Sequence, residues 1–429
     1  MHPGPSPRRV FATFFVGVSA LILTGCHTAD REQESGPLDR VERWREDVRT
    51  LAHELPKRHK NLFFKLSRSD FEHAVAALDA DIPTLSDAQI VVRLLQLVAA
   101  IGDGHTRLWA ESAFHVGLPI KVKRFSDGVF VVSTVAEYPE ILGTRIVRVG
   151  TFTTQEALAA VGTLVPHDND EQVFQEAPGW LTYPEVLHSL HVTDSPDATV
   201  VVVEDSDGRQ REVRIRSVEK TTSIEWKSWP DSKHTPVPLY RRNTTLPYWF
   251  EYRPDQVLLY IAYNSCVNSD QEPFGKFVEE VFDSVEKSKP ACVVLDLRNN
   301  SGGDSSIGAP LIGRLTKSKE INRPNHLFVL IGRRTYSSAL WHALELRERT
   351  HAILVGEPTG GKPNGYGEIR FLELPHCRFK VNYSTKYWRK ITSADPPSLM
   401  PDVHIETSSS DYAAGRDPVL DAVLNAAGR

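Results

Sequence analysis

The sequence has few cysteines, no excess of positive charge and no run of apolar residues long enough to cross a membrane with ease. Its four cysteines are widely spaced and form no CxxC pair, which argues against a zinc site and requires no disulfide framework. The formal net charge of −5 over 429 residues gives no basic footprint, so nucleic acid is not an expected partner. Internal repeats and long low-complexity segments are also missing. What is left is an ordinary globular composition, with enough length for two or three domains.

The most apolar stretch lies at the amino terminus. Arg8 and Arg9 precede VFATFFVGVSALIL, a run over 10–23 that is typical of a secretory signal peptide and is short for a membrane span. The next residues, LTGC, resemble the lipobox of bacterial lipoproteins, in which the cysteine is lipidated and becomes the mature amino terminus. We therefore expect an exported chain, held by lipid on Cys26 to the cell membrane or the outer membrane and facing the periplasm or the exterior.

Hydrophobic spacing divides the chain into regions. Apolar residues recur at helical spacing from Leu38, and capping-box pairs at Ser69 and Ser86 predict two further helix starts. Later, short apolar runs separated by turn residues predict strands, and beyond them strands alternate with helices, as in a mainly parallel sheet with crossovers. The predicted regions are a signal peptide over 1–25, a polar tether over 26–36, a helical region over 37–115, a β-rich domain over 116–220, a linker over 221–250 and an α/β catalytic domain over 251–429.

Part of the β-rich region is similar to a known binding module. LGTRIVRVGTFTTQEALAAV, at 142–161, is similar to the second half of a PDZ domain, which binds peptide C-termini by adding a strand. A segment around Trp180 interrupts the pattern where a PDZ domain would be compact. The alternative is an unrelated small β domain.

The glycine-rich turn GEPTGGK, at 356–362, allows two interpretations of Lys362. The pattern GxxxxGK after a strand is typical of a phosphate-binding loop. However, Pro363 follows where a hydroxyl should bind Mg²⁺, and PNGYGE cannot begin a helix whose amino terminus would receive phosphate. We therefore reject the nucleotide site and consider Lys362 as a base for Ser337, which lies 25 residues upstream.

Ser337 follows RRTY at the start of the predicted helix SALWHALELRE. Backbone N–H groups and the helix dipole favour a developing anion at such a position. The simpler interpretation is that Ser337 or Ser338 only caps the helix. A second glycine-rich strand end, RNNSGGD, could direct an N–H of Gly302 or Gly303 at the same oxyanion, because the carboxyl ends of parallel strands meet at one edge of a sheet.

Four motifs together resemble the tail-specific (C-terminal processing) serine proteases: VVLDLRNNSGG, TYSSA followed by VGEPTGGK, GDGHT and PDVHIE. GDGHT also recurs in the tricorn-core branch. The resemblance covers roughly residues 40 to 425. It implies a ClpP/crotonase-like catalytic domain, cleavage near free C-termini and no metal or organic cofactor. It places Ser337 on the nucleophile and Lys362 on the general base. Gly302, Gly303 and Ser338, at the two turns beside the nucleophile, are the expected oxyanion-hole residues.

The identity of the base stays open at this point. A lysine takes a proton only when burial keeps it neutral, and Leu340 replaces the Glu that is usual in this helix of the Ser–Lys enzymes. The commonest fate of a turn lysine such as Lys362 is simply to be solvated.

The tricorn branch uses a histidine instead, assisted by a Ser and a distant Glu. His105 of GDGHT matches that histidine, Gly104 stands in place of the assisting Ser, and Asp395 falls at the position of the Glu. Ser–His–Asp is a complete set for proton transfer. The simpler interpretations are a loop histidine at the end of a helix for His105 and a turn carboxylate for Asp395.

Two classes of function follow. The first is an exported, lipid-anchored serine endopeptidase that acts on proteins or peptides near their C-termini. The second is a catalytically inactive, protease-like protein that binds peptides or hydrophobic ligands. The presence of Ser337, Lys362 and His105 together with two adjacent glycines favours the enzyme. The sequence specifies neither the oligomeric state nor the physiological substrate.

Overall fold

The computed structural model describes residues 38–428, so the predicted signal peptide, Cys26 and the tether lie outside the described residues. Within this range, no helix combines the length and the hydropathy that a transmembrane span requires. The chain from Arg40 onward forms one compact unit. Its amino-terminal part contains three helices: α1 (Arg40–Arg58), α2 (Arg68–Asp81) and α3 (Asp87–Ala99).

The starts of these helices test the predicted caps. The capping box of Ser86 and Gln89 is confirmed, with both reciprocal hydrogen bonds present at the start of α3. The predicted cap at Ser69 is wrong, because the Ser67 hydroxyl accepts the Asp70 amide at 3.0 Å and α2 begins at Arg68. Both serines precede an acidic residue at the right spacing, so local sequence did not separate them.

The β-rich region follows α3. Its elements are β1 (Leu108–Trp109), β2 (Val116–Gly117), β3 (Ile120–Phe125), β4 (Gly128–Thr134), β5 (Arg145–Val149), β6 (Phe152–Thr153), α4 (Thr154–Gly162), α5 (Asp170–Trp180), α6 (Pro184–Ser189), β7 (Ala198–Glu204), β8 (Gln210–Arg216), β9 (Val218–Glu219) and β10 (Lys227–Ser228). The strands form an antiparallel sheet in the order β10-β4-β5-β7-β8, with β3 paired to β4 and β6 paired to β5. The interrupting segment around Trp180 consists of two helices, α5 and α6.

The carboxyl-terminal part alternates strands and helices. Its elements are β11 (Tyr248–Arg253), β12 (Leu258–Tyr263), α7 (Phe274–Ser288), β13 (Cys292–Asp296), α8 (Ala309–Lys317), β14 (Leu327–Ile331), α9 (Ser338–Arg349), β15 (Ile353–Gly356), β16 (Gly365–Glu373), β17 (Lys380–Trp388), β18 (Val403–His404), α10 (Ser409–Ala413) and α11 (Pro418–Ala426). The predicted α/β fold is confirmed by a six-stranded sheet in the order β11-β12-β13-β14-β15-β18, in which every pair except β11–β12 is parallel. Buried side chains of α7, α8 and α9 pack on one face of this sheet and those of α11 on the other.

A three-stranded sheet in the order β1-β17-β16 joins the amino-terminal helices to the catalytic part. Leu108 pairs with Val381 in an antiparallel register, and one residue earlier the backbones of Arg107 and Asn382 exchange two hydrogen bonds of 3.2 and 2.8 Å. The loop GDGHT, which immediately precedes β1, is thereby fixed to a hairpin from the far end of the chain. No local sequence pattern predicted this hairpin.

Candidate active site

Ser337 lies in the turn between β14 and α9, with φ 53° and ψ −125°. A non-glycine residue in this region of backbone space costs of the order of 1–3 kcal/mol and is held there only by its surroundings. The Ser337 side chain makes no capping hydrogen bond to α9. Its Oγ instead lies 3.1 Å from Nε2 of His105, which is 232 residues away in sequence. The fold thus brings these two candidate side chains within hydrogen-bond distance.

The loop that carries His105 is fixed by the buried carboxylate of Asp103. The backbone N–H of His105 donates to Oδ1 of Asp103 at 3.0 Å, while Oδ2 of Asp103 accepts from His59, Thr106 and Ser384 at 3.0, 2.6 and 2.7 Å. Burial raises the pKa of the Asp103 carboxyl, but the hydrogen bond from His59, the charge of His105 and the two hydroxyls leave it below the ordinary value. Asp103 thus ties the loop to the end of α1 and to β17.

The second ring nitrogen of His105 faces a tyrosine. Nδ1 lies 2.9 Å from the hydroxyl of Tyr336, and the two rings stack with centroids 4.7 Å apart. The Tyr336 hydroxyl donates in turn to Oδ2 of Asp168 at 3.1 Å, and Oδ1 of Asp168 accepts the Gly104 amide at 2.9 Å. Burial raises the pKa of Asp168, opposed in part by the charge of His105, and it raises the pKa of Tyr336 well above its ordinary range. Sequence reasoning did not single out either residue.

The backbone amides predicted to bind the oxyanion differ in whether they already make a hydrogen bond. The Gly302 amide donates to Oδ1 of Asn300 at 2.9 Å, so the structure removes it from the expected set of free donors. Among the described residues, no hydrogen bond uses the amides of Gly303 and Ser338, and the Ser338 hydroxyl donates to the Gly303 carbonyl at 2.7 Å. A Cβ on Gly302 would lie 2.7 Å from the Cβ of Ser337, which explains why this position requires glycine. Gly303 and Ser338 are the available donors beside Ser337.

Arg333 fixes the turn that leads to Ser337. Its guanidinium is only 7% exposed and forms ion pairs with Glu171 on α5, Glu357 after β15 and Glu406 after β18. Burial raises the pKa of Glu357, and the charge of Arg333 opposes this. The charged cluster connects the inserted helix α5 with the carboxyl edge of the central sheet.

The structure places Lys362 and Asp395 differently from the sequence expectation. Nζ of Lys362 donates to Oδ2 of Asp395 at 2.8 Å, and these side chains are 27% and 55% exposed. Within residues 38–428, no hydrogen bond joins Lys362 to Ser337 or Asp395 to His105. The expected pairing of Asp395 with His105 is corrected accordingly: the ring nitrogen of His105 faces Tyr336, and the acid behind it is Asp168.

Ser337 and His105 open into a cleft of about 510 Å³. Two apolar side chains at its mouth, Trp109 and Ile369, are 48% and 51% exposed. Arg334 also lines the cleft and is exposed, and no hydrogen bond or ion pair within the described part of the chain engages its guanidinium. In the same part of the chain, no group of three or more His, Cys, Asp and Glu side chains is arranged to hold a metal ion.

Comparison with known proteins identifies the catalytic part. Residues 258–405 match the model of Peptidase family S41. This segment is similar to S41 peptidase domains. It contains Ser337 and its turn, Gly302 and Gly303, and Lys362, whereas His105 lies before it. No curated protein sequence matches the chain.

Solved structures extend the likeness in fold beyond the S41 domain. Mature CPAF in complex with lactacystin aligns with a TM-score of 0.63 at 13% identity, over 90% of this chain and 98% of that one. Mature CPAF alone gives a TM-score of 0.62 at 13% identity, over 91% and 99%. At this identity the likeness shows a shared fold, which includes the helical and β-rich parts that precede the S41 domain. The S41 domain makes the chain a serine-type peptidase.

Proposed function

We propose that the protein is an exported serine endopeptidase in which Ser337 is the nucleophile and His105 the general base. The observation that carries this proposal is the 3.1 Å separation of Ser337 Oγ and His105 Nε2 at the floor of an open cleft. A serine hydroxyl attacks a peptide carbonyl only when a neighbouring base takes its proton, and this separation is within hydrogen-bond reach. The free amides of Gly303 and Ser338 would bind the oxyanion.

His105 is a better base than Lys362 on two grounds. The ammonium of Lys362 forms an ion pair with Asp395, and an ammonium has no lone pair with which to accept a proton. The His105 ring, by contrast, presents Nε2 to Ser337 and has a hydrogen-bond partner for Nδ1. The match to the S41 family supports a peptidase, and no feature of residues 38–428 favours the inactive binding protein over it.

The cleft favours substrates with a free carboxylate and apolar side chains. Arg334, three residues before Ser337, has a guanidinium that no partner among the described residues engages, and guanidinium groups bind carboxylates through paired hydrogen bonds. Trp109 and Ile369 offer apolar surface beside it. We therefore propose cleavage of proteins or peptides near their C-termini, with Arg334 as the group that binds the terminal carboxylate.

The site of action follows from the amino-terminal sequence. The signal-like run over 10–23 and the lipobox-like LTGC support export and a lipid anchor at Cys26. The anchor would hold the peptidase at the cell membrane or the outer membrane, facing the periplasm or the exterior. The β-rich region, with its partial similarity to a PDZ domain, is proposed to contact the substrate chain.

The test compares the wild-type protein with Ser337→Ala, His105→Ala and Lys362→Ala, using unfolded casein as substrate. We expect Ser337→Ala and His105→Ala to lower kcat by a factor on the order of 10³ or more, as removal of a nucleophile or its base does in other serine peptidases. Lys362→Ala is the matched control on the other candidate base and is expected to keep activity within about threefold of wild type.

Two results would contradict the proposal. If Ser337→Ala retains activity, Ser337 is not the nucleophile. If Lys362→Ala abolishes activity while His105→Ala preserves it, the base is the lysine. Thermal unfolding of each variant separates a chemical defect from a failure to fold.

A further inference from the structure

We infer that Tyr336 and Asp168 are positioning residues for His105: together they fix the orientation and tautomer of its ring and stabilise the imidazolium that forms during catalysis. This inference rests on the proposed function, in which His105 is the base for Ser337. It is carried by a continuous chain of hydrogen bonds that leads from Ser337 to a buried carboxylate through the hydroxyl of Tyr336.

The direction of each hydrogen bond follows from the chemistry of the groups. The Asp168 carboxylate only accepts, and it takes the Gly104 amide on Oδ1 and the Tyr336 hydroxyl on Oδ2. Since the single proton of that hydroxyl points to Asp168, its oxygen must accept a hydrogen bond from the Nδ1–H of His105. The neutral ring then has no proton on Nε2, so the lone pair of Nε2 faces the Ser337 hydroxyl, as general-base catalysis requires.

Two glycines provide the space that Tyr336 occupies. A Cβ on Gly104 would lie 2.5 Å from the Tyr336 hydroxyl oxygen and 2.6 Å from Oε1 of Gln172, and a Cβ on Gly361 would lie 2.6 Å from two carbons of the Tyr336 ring. The His105 ring stacks on the tyrosine ring. The Tyr336 hydroxyl and the Gln172 amide therefore share the volume that a side chain at position 104 would otherwise fill.

The proposed step conserves protons. When Ser337 Oγ attacks the substrate carbonyl, its O–H bond breaks and the proton moves to Nε2 of His105. The proton on Nδ1 stays in place and donates to the Tyr336 oxygen. The positive charge of the ring is then stabilised by this hydrogen bond and by the Asp168 carboxylate behind it. The same proton is later delivered from Nε2 to the leaving amine.

Asp103 is the other carboxylate that faces the His105 ring, and it cannot replace Tyr336. Its Oδ1 lies 3.9 Å from Nδ1, beyond hydrogen-bond distance, and already accepts the backbone N–H of His105. The charged and titratable groups around the ring are therefore Asp103 from its own loop, Tyr336 from the nucleophile turn and Asp168 from the segment before α5, with Arg107 near Tyr336.

The test uses Tyr336→Phe, which keeps the ring stacked on His105, and Asp168→Asn, which keeps the shape of the side chain. We expect each to lower kcat by about 10- to 100-fold, the range for loss of one hydrogen bond to a charged group. The acidic limb of the pH profile of kcat/KM should move to lower pH, because the protonated ring loses stabilisation. The double variant should be no slower than the slower single variant, since the two residues act as one unit.

A rescue variant sharpens the assignment. Gly104→Ser in the Tyr336→Phe background is expected to recover part of the lost kcat, because its hydroxyl would enter the space that the tyrosine oxygen leaves once the flexible Gln172 side chain, whose Oε1 would lie 2.6 Å from the new Cβ, has shifted. Two matched controls, Tyr252→Phe and Asp207→Asn, make the same chemical changes far from the cleft and should stay within about twofold of wild type.

The inference is overturned if Tyr336→Phe keeps kcat within about twofold of wild type, or if it loses activity while the acidic limb stays in place. The second result would assign the hydroxyl a purely structural role. Should Tyr336→Phe not accumulate as a folded protein, Asp168→Asn decides by the same two readouts. Ser337→Ala is measured alongside: if it stays active, the proposed function has failed, whereas an inactive Ser337→Ala with an unaffected Tyr336→Phe overturns only the inference.

Discussion

The backbone of Ser337 supplies a prediction about stability. Its φ of 53° and ψ of −125° are unfavourable for any residue with a Cβ and are accessible to glycine. Relief of this strain in Ser337→Gly should return of the order of 1–3 kcal/mol. Glycine also gives the unfolded chain more conformational freedom, which lowers the free energy of unfolding by about 0.4–1 kcal/mol. We therefore expect Ser337→Gly to be more stable than Ser337→Ala by about 1 kcal/mol.

The comparison with Ser337→Ala isolates the backbone term, because both variants lack the hydroxyl and both should be inactive. Urea unfolding of the full chain, followed by circular dichroism, measures the difference in the free energy of unfolding. Ser284 provides the control: it lies inside α7, where glycine should be less stable than alanine by about 1 kcal/mol. If Ser337→Gly is no more stable than Ser337→Ala, the turn is not strained and the surroundings are not holding it in place.

Three further predictions concern charge. Arg334→Met should raise KM about tenfold for a peptide with a free C-terminal carboxylate and leave its amidated twin unchanged; equal effects on both peptides would exclude carboxylate binding. Asp103→Asn should destabilise the protein at neutral pH, and the deficit should shrink as acid unfolding is approached, because a lowered pKa gives stability that is lost as pH falls through the folded value. Asp168→Asn should do the opposite: the raised pKa of Asp168 makes the wild type lose stability as pH rises above about 4, so the variant gains relative to it towards neutral pH. Urea midpoints measured from about pH 2 to 8 cover the acidic range for Asp103 and the range above about pH 4 for Asp168, and parallel slopes would contradict the assigned pKa shifts.

The sequence led to the two side chains that meet in the cleft. Ser337 and His105 each belong to a short motif next to a strand or helix end, and such motifs can be recognised without any knowledge of distant contacts. The contacts of Asp395 and Lys362 could not be predicted from local sequence, because they depend on the path of the chain around β16 and β17. The structure pairs them with each other.

Tyr336 and Asp168 were missed for a related reason. Tyr336 lies directly before Ser337, where a tyrosine is typical of an ordinary turn residue. Asp168 is separated from Tyr336 by 168 residues, so no local spacing connects the two. The one local signal was Gly104, where the tricorn branch has a serine. A missing hydroxyl at that position implies that another group must supply it, and this could have directed attention to an aromatic hydroxyl nearby.

The fold was predictable where the pattern repeats and less so where strands pair across the chain. Alternating apolar strands and helices after residue 251 predicted the parallel sheet, because each buried strand is nearly continuous in apolar residues. Nothing local marks β1, a strand of two residues, as the partner of β17 some 270 positions later. That pairing, which fixes His105, had to come from the structure.

The pairing of β1 with β17 also bears on how the protein is made. His105 is synthesised early and Ser337 late, and the strand that holds the loop of His105 in position, over 380–388, is later still. A growing chain therefore cannot bring the two side chains of the proposed mechanism together until most of its length has been produced and the last hairpin has closed.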